Sequence, residues 1–412
     1  MKSFHKWRTS SLGQIFLAAA FLRLILAPFF FHTDIKTNYY NSHFLSQGVF
    51  NIYDFLAKNP DQAVLGEFSY PPLTYWFYGL VFFPLKLLLG NGFAQWLAMG
   101  NEAVTVPNLF RFLFFMKLPL FVFEFLTGWL LIKMVKGERQ KERVLLFWLF
   151  NPVNLYAIVL MGQFDVVPTF LVVLALFLAL EKKHSKAAIS LGLGAAFKTF
   201  PLLFLPFLAL SVKDWKNRLK IFGVGLLPYL ASILPFIRSK AFWQSSLVSG
   251  LSQRIFFLGL EIGFEEKILL VVLALVGLLF VLDWQENHSG KLAGYFLALP
   301  LIILAGSHFH PQWLLWAAPF LALFLSKENK LVFPIIILLA GWLGKIILFN
   351  DKFLTLGLIS PFDPGVFFLP SFRDLVKDQS LTNLAISLLQ TLFTASAIWL
   401  SFLAAFKVDV KD

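Results

Sequence analysis

Cysteine is missing from all 412 residues, and charge is scarce: Asp, Glu, Lys and Arg together make up 14%. The first absence excludes disulfides, thiol nucleophiles and cysteine-ligated metals. The second excludes a soluble domain of this size, which needs far more polar surface. No internal repeat is evident, which counts against the duplicated architecture common among transporters. What fills the chain is apolar: 58% hydrophobic residues, 51 Phe and 12 Trp, with a mean hydropathy of +0.74. Lipid is therefore the main solvent, and the aromatics suit a lipid-facing surface with belts at both interfaces. The net charge of +12 would fit nucleic acid, but the basic residues fall in short loops between apolar runs. That is the positive-inside pattern, and nucleic acid is excluded as a partner. The basic start, Met1 to Arg8, precedes an apolar run longer than the core of a signal peptide, so a retained anchor is expected.

Apolar runs lie at 11–31, 71–90, 108–134, 144–161, 165–181, 187–212, 219–237, 266–283, 291–306, 311–326, 331–349 and 383–405. A helical span takes about twenty residues, so 187–212 holds two crossings only if they are short and broken near Pro201. Basic clusters mark the cytoplasmic side: Lys2, Lys6 and Arg8; Lys133 to Arg143; Lys182, Lys183 and Lys186; Lys213 to Lys220. Between the last three clusters the runs come in pairs, whereas three runs separate the first two. The simplest repair is that 71–90, which holds Pro71, Pro72, Pro84 and Lys86, does not cross and lies along the outer face. The expectation is an all-α polytopic membrane protein, a single transmembrane domain over 1–412. It has about twelve crossings, cytoplasmic termini, a large first external loop at 32–107 with in-plane helices, and a late one at 350–382.

This topology puts four polar motifs on one face: His32-Thr33-Asp34, Gly162-Gln163-Phe164-Asp165, Lys198-Thr199-Phe200-Pro201 and His308-Phe309-His310-Pro311-Gln312. Asp34 is either a solvated helix end or, shielded by lipid and protein, a general base for a hydroxyl. Glu67 is its nearest competitor, with Asp54 and Asp61 behind. Asp165 is a helix N-cap, a substrate ligand, or both. Lys198 either snorkels to the interface or meets an anionic head group. His308 and His310 lack a third ligand at metal-binding spacing, so no metal is expected. Beside the helix start at Pro311 they suit a phosphate instead, through free N–H groups and imidazole donors. Arg254 lies in another polar loop of the same face. The tyrosines and tryptophan of the first loop, Tyr70 among them, suit sugar rings or an interface belt. Arg23 and Glu124, roughly 18 and 15 Å from the cytoplasmic ends at 1.5 Å per residue, are expected to form a structural ion pair away from the site.

The order of these motifs carries a resemblance. An Asp just after the first span is followed by Gly48-Val49-Phe50-Asn51-Ile52-Tyr53 and Ser69-Tyr70-Pro71-Pro72-Leu73-Thr74. Then come Asn151-Pro152, Gly162-Gln163-Phe164-Asp165, the Lys198-Thr199-Phe200-Pro201 break and His310-Pro311-Gln312-Trp313. Over about residues 15–320 this resembles the GT-C superfamily of polytopic glycosyltransferases. The nearest branches are polyprenyl-phosphate mannosyltransferase-like proteins and dolichyl-phosphate-glucose-dependent glucosyltransferases. The resemblance implies a hexose donor carried on a polyprenyl phosphate, a lipid- or glycan-linked acceptor, and Asp34 as catalytic base. It implies inversion by single displacement, without a cofactor or metal. Lys198, His308, His310 and Arg254 are then candidates for the donor phosphate, and Asp165, Gln163, Glu67 and Tyr70 for sugar or acceptor. The family's His-rich motif at the fourth crossing meets Gln163 and Asp165 here, which leaves the role of Asp165 open. The active face would be external at the plasma membrane, or lumenal if the membrane is endoplasmic reticulum. A transporter or lipid flippase, and an O-antigen ligase or polymerase, are the rival readings.

Overall fold

A computed structural model describes residues 10–248, 252–285, 288–376 and 378–407; the basic start, Met1 to Arg8, lies outside them. The fold is α-helical, with one two-stranded antiparallel hairpin among the described residues, Gly259–Gly263 with Glu266–Leu269. That hairpin corrects the start of the run at 266–283: its first four residues are strand, and the helix begins at Leu270.

Every apolar run carries helix. Six are long and apolar enough to cross a membrane: Ser11–Phe29, Pro72–Leu89, Glu138–Leu160, Trp215–Phe236, Asn329–Ile347 and Gln379–Lys407. Shorter apolar helices include Val166–Leu180, Leu270–Trp284 and Ala318–Lys327. Together they make an integral, multi-pass membrane protein. Its outer surface fits lipid, since Leu87 and Trp284 are each 88% exposed and Phe280 is 71% exposed. In water such an apolar surface would drive aggregation; in hydrocarbon it costs nothing.

The run at 187–212 breaks where proline dictates. Helix His184–Phe197 ends at Lys198, a 3-10 turn Phe200–Phe204 carries Pro201, and helix Leu205–Leu210 resumes. Proline has no N–H and clashes with the preceding turn, so a helix cannot run through it undisturbed. Segment 71–90 forms the helix Pro72–Leu89. It packs on helix Thr33–His43 through an edge-to-face pair of Tyr39 and Tyr78 at 4.7 Å, and Thr74 Oγ1 donates to the Phe197 carbonyl at 2.7 Å.

Helix Leu109–Lys133 is 25 residues long and carries buried charges that its neighbours compensate. Arg23 Nη2 donates to Glu124 Oε1 at 2.6 Å and Arg23 Nε to Oε2 at 3.2 Å, with both side chains fully buried. The expected ion pair is therefore real, and Arg23 also donates to the Leu149 carbonyl. It ties three helices together: Ser11–Leu26, Leu109–Lys133 and Glu138–Leu149.

Lys117, one further charge on the same helix, takes no carboxylate. Its ammonium donates to the carbonyls of Ala27 (3.0 Å), Phe30 (2.7 Å), Val159 (2.8 Å) and Leu160 (3.0 Å). Those carbonyls belong to the turn that ends the first helix and to the π-helical segment Leu155–Leu160. Both are places where the regular ladder is interrupted and acceptors are left over.

Candidate active site

The four polar motifs converge. Asp34 stands in the first turn of helix Thr33–His43, with His32 as N-cap. The His32 Nδ1 accepts from the Asp34 N–H at 3.2 Å. Gln163 Nε2 donates to Asp34 Oδ2 at 2.6 Å, joining two motifs 129 residues apart. The Asp34 side chain is 34% exposed while Gln163 is buried, so one face of the carboxylate is fixed and the other open. Gly162 makes the turn that aims Gln163. Its φ of +71° is left-handed, and an added Cβ would lie 2.7 Å from Ile35 Cδ1, so only glycine fits without strain.

Asp165 occupies the N-cap position of helix Val166–Leu180, yet its side chain makes no capping bond. Its Oδ1 accepts from Lys198 Nζ at 2.8 Å and from Trp316 Nε1 at 2.7 Å. Capping is displaced because a buried carboxylate gains more from a cation than from one backbone N–H. Lys198 sits among the rings of Tyr70, Phe164, Trp313 and Trp316, each 5.4–5.7 Å from its ammonium. Trp316 is stacked between Phe200 (4.2 Å) and Trp313 (5.1 Å). The Pro201 break thus delivers a cation into an aromatic box closed by a carboxylate.

These groups border a cavity of about 510 Å³, whose lining includes Asp34, Glu67, Tyr70, Lys198, Arg254, His310 and Trp313. Gln163 and Asp165 stand behind this wall, holding Asp34 and Lys198. Arg254 lies over the Trp313 ring at 5.6 Å and donates to the His308 carbonyl at 3.2 Å. His310 is pushed down to about 4, mainly by burial and then by the Arg254 charge, so the ring is neutral at physiological pH. Burial, with the charges of Asp34 and Asp165 nearby, pushes the Tyr70 hydroxyl well up, so it stays protonated and can donate. His308 is not in this cavity; it lines a neighbouring one.

Among the rival bases, Glu67 is exposed at the cavity wall. Asp54 accepts from Ser239 Oγ at 2.5 Å and from Asn51 Nδ2 at 2.9 Å and does not line the cavity. Asp351, which the sequence did not single out, does line it; its Oδ1 caps the turn at Phe353 N–H (2.9 Å). The sequence also missed the uncommitted amides. Both side-chain atoms of Asn41, His32 Nε2 and Gln312 Oε1 are buried on residues of the lining without a hydrogen-bond partner among the described residues. Buried polar atoms are almost always satisfied, so such a cluster around one cavity points to a polar occupant. No group of three His, Asp or Glu with metal-binding geometry occurs among the described residues.

A family model described as Glycosyltransferase family 87 matches residues 68–265. "GPI mannosyltransferase 1" of Kluyveromyces lactis is 27% identical over 168 residues, 39% of this chain and 37% of the relative. The protein of the same name in Candida albicans is 33% identical over 98 residues, 22% and 24% of the two chains. The chain thus spans well under half of the length of the curated relatives it matches. The resemblance to GT-C-type membrane glycosyltransferases is supported by these matches.

Proposed function

We propose that the protein is an inverting membrane glycosyltransferase that moves a hexose from a polyprenyl-phosphate sugar to an acceptor hydroxyl at the external or lumenal face. The observation that carries this reading is Asp34, held on one side by Gln163 and open on the other to a cavity with uncommitted polar atoms. The mannosyltransferase names of both relatives make mannose the favoured hexose.

In the proposed displacement the acceptor hydroxyl approaches Asp34, which takes its proton as the oxygen attacks the anomeric carbon. The new C–O bond forms as the bond to the phosphate oxygen breaks, and the electron pair leaves on a polyprenyl phosphomonoester. That leaving group is a good one, so a base matters more than an acid. Arg254 and neutral His310 supply a charge and a donor for the developing phosphate. Asn41, His32 and Gln312 offer the amide and ring atoms that sugar hydroxyls satisfy. Lys198 is already paired with Asp165, so its work is to hold the Tyr70–Trp313–Trp316 wall against which a sugar ring stacks.

Asp34→Asn tests the assignment. The substitution keeps the shape and removes the base, so transfer from a polyprenyl-phosphate mannose should fall by about 10²–10⁴-fold while expression and thermal unfolding stay unchanged. Transfer at the wild-type rate by the purified variant would overturn it.

A further inference from the structure

Beside the Asp34 cavity lies a second one of about 710 Å³, and Ser307 borders both. On the wall of the second cavity Phe349 faces His308 at 5.5 Å, and it also lies 5.8 Å from His310, which lines the first. The two linings differ in charge. The first holds Asp34, Glu67 and Asp351 alongside its cations. The second holds Lys345, Arg373 and His308 and no carboxylate; its remaining wall is largely apolar, including Phe257, Leu258, Leu348 and Ile386.

Lys345 is the key residue. It is buried, only 7% exposed, near the end of helix Val332–Ile347. Its ammonium donates to Gln390 Oε1 and sits 3.8 Å from the centre of the Phe309 ring. Gln390 is aimed by its own donors, Nε2 to the Ala305 carbonyl and to Thr394 Oγ1, each at 3.1 Å. Lys345 forms no ion pair among the described residues; the Arg373 guanidinium makes no hydrogen bond among them, its nearest charge being the adjacent Asp374 carboxylate, which its field helps to hold low. A buried cation in a membrane protein needs either enough acceptors to replace its hydration or a counter-charge. An amide oxygen and an aromatic face replace only part of its hydration.

We propose that this second cavity binds the phosphate of a lipid-linked acceptor: Lys345 and Arg373 hold the phosphate, and the apolar wall takes the first part of its hydrocarbon chain. With the phosphate so anchored, the acceptor's hydroxyl head group passes Ser307 towards Asp34 while the sugar donor occupies the first cavity. The identity of the amphiphile as acceptor rests on the glycosyltransferase reading; the phosphate site itself does not.

The test is equilibrium binding of radiolabelled dodecyl phosphate to the purified full-length protein in neutral detergent. Two classes of site are expected. The double variant Lys345→Gln, Arg373→Gln should weaken one class by roughly tenfold or more, as loss of a charge-assisted hydrogen bond implies. Arg254→Gln should weaken only the other, and Lys345→Arg should retain both. Inorganic phosphate at the same concentration should not displace the probe, because it lacks the chain. A single class in the wild type, two undiminished classes in the double variant, or equal displacement by inorganic phosphate would each overturn the lipid-phosphate site. Loss of both classes in the double variant, with a lowered unfolding temperature, would mean a structural Lys345 and also overturn it. In turnover, the double variant should raise KM for a lipid acceptor about tenfold and leave KM for the donor unchanged; a raised donor KM instead would overturn the acceptor assignment. Binding as expected with no glycosyl transfer by the wild type would sink the proposed function and leave the phosphate site standing.

Discussion

Lys117→Met is the substitution on which the internal logic of the fold depends most directly. The wild-type ammonium serves four carbonyls at 2.7–3.0 Å, two from the turn before His32 and Asp34, two from the π-helical segment before Gly162 and Gln163. Methionine fills the space of the stem and supplies no donor. An ammonium has three protons to share among these carbonyls, and each buried acceptor bond left unmade costs about 1–3 kcal/mol, or about 3–9 kcal/mol for three. Against that, the variant is spared the ~2.5–3.5 kcal/mol of burying an ammonium in a membrane helix. The balance runs from about zero to about 6 kcal/mol, centred on about 3, so the unfolding temperature in detergent should drop by about 5 °C. Because both arms of the Asp34–Gln163 contact hang from these carbonyls, kcat should fall more than tenfold, beyond what residual unfolding accounts for. Lys117→Arg keeps the charge and several donors and should restore part of both. The assay pairs unfolding followed by intrinsic tryptophan fluorescence with transfer measured at a temperature where the variant is folded. An unfolding temperature and a kcat both at wild-type values would refute the positioning role.

Three further outcomes follow from the same geometry. Glu124→Gln leaves Arg23 buried without its carboxylate and should destabilise by about 3–5 kcal/mol, whereas Arg23→Met with Glu124→Leu should regain most of it; denaturation of the single and double variants decides this, and additive losses would contradict the pairing. His310 protonates near 4 in the folded chain and near 6.5 once unfolded, so the unfolded state takes up the proton first as pH falls. Stability tied to this ring is therefore fully present above about 6.5, drains away between 6.5 and 4, and levels off below. Wild type should lose more of its unfolding temperature over that interval than His310→Gln, and an equal loss would show that the ring is not held neutral. Finally, a topology reporter near Asn91 should read external, as charge parity requires of a non-crossing 71–90 segment; a cytoplasmic signal would turn Pro72–Leu89 into a true span.

How much of this was legible in the sequence depends on what kind of partner each residue takes. Arg23 and Glu124 could be matched because both are charged and lie at similar depth, and the structure pairs them at 2.6 Å. The convergence of the four polar motifs was legible from charge parity, which put them on one face before any contact was known. Asp34 with Gln163 and Asp165 with Lys198 are that convergence in detail. Lys117 was equally visible as a charge in an apolar run, but its partners are main-chain carbonyls, which every residue has and no sequence marks. The hairpin escaped for a related reason: Glu266–Leu269 reads as the start of an apolar run until Gly259–Gly263 offers it a partner strand. His308 and His310 looked like one donor pair, yet His308 lines one cavity and His310 the other, a split that two-residue spacing does not mark.

The buried lysines, taken together, say which of them needs something from outside. Lys198 has a carboxylate at 2.8 Å, and Lys117 has four carbonyls. Lys36, fully buried, donates to the Gly100 carbonyl at 2.8 Å and lies 4.7 Å from the centre of the Trp96 ring. Lys36 lines neither cavity. Lys345 has one amide oxygen and a ring, and, unlike Lys36, it borders open space beside a second cation, Arg373. A purely structural lysine would not require that space, because its charge could be satisfied, as at Lys117, by the chain itself. The cavity at Lys345 is thus the place where the chain leaves a positive charge incompletely answered, one serine away from the Asp34 pocket. An anionic amphiphile supplies what is missing.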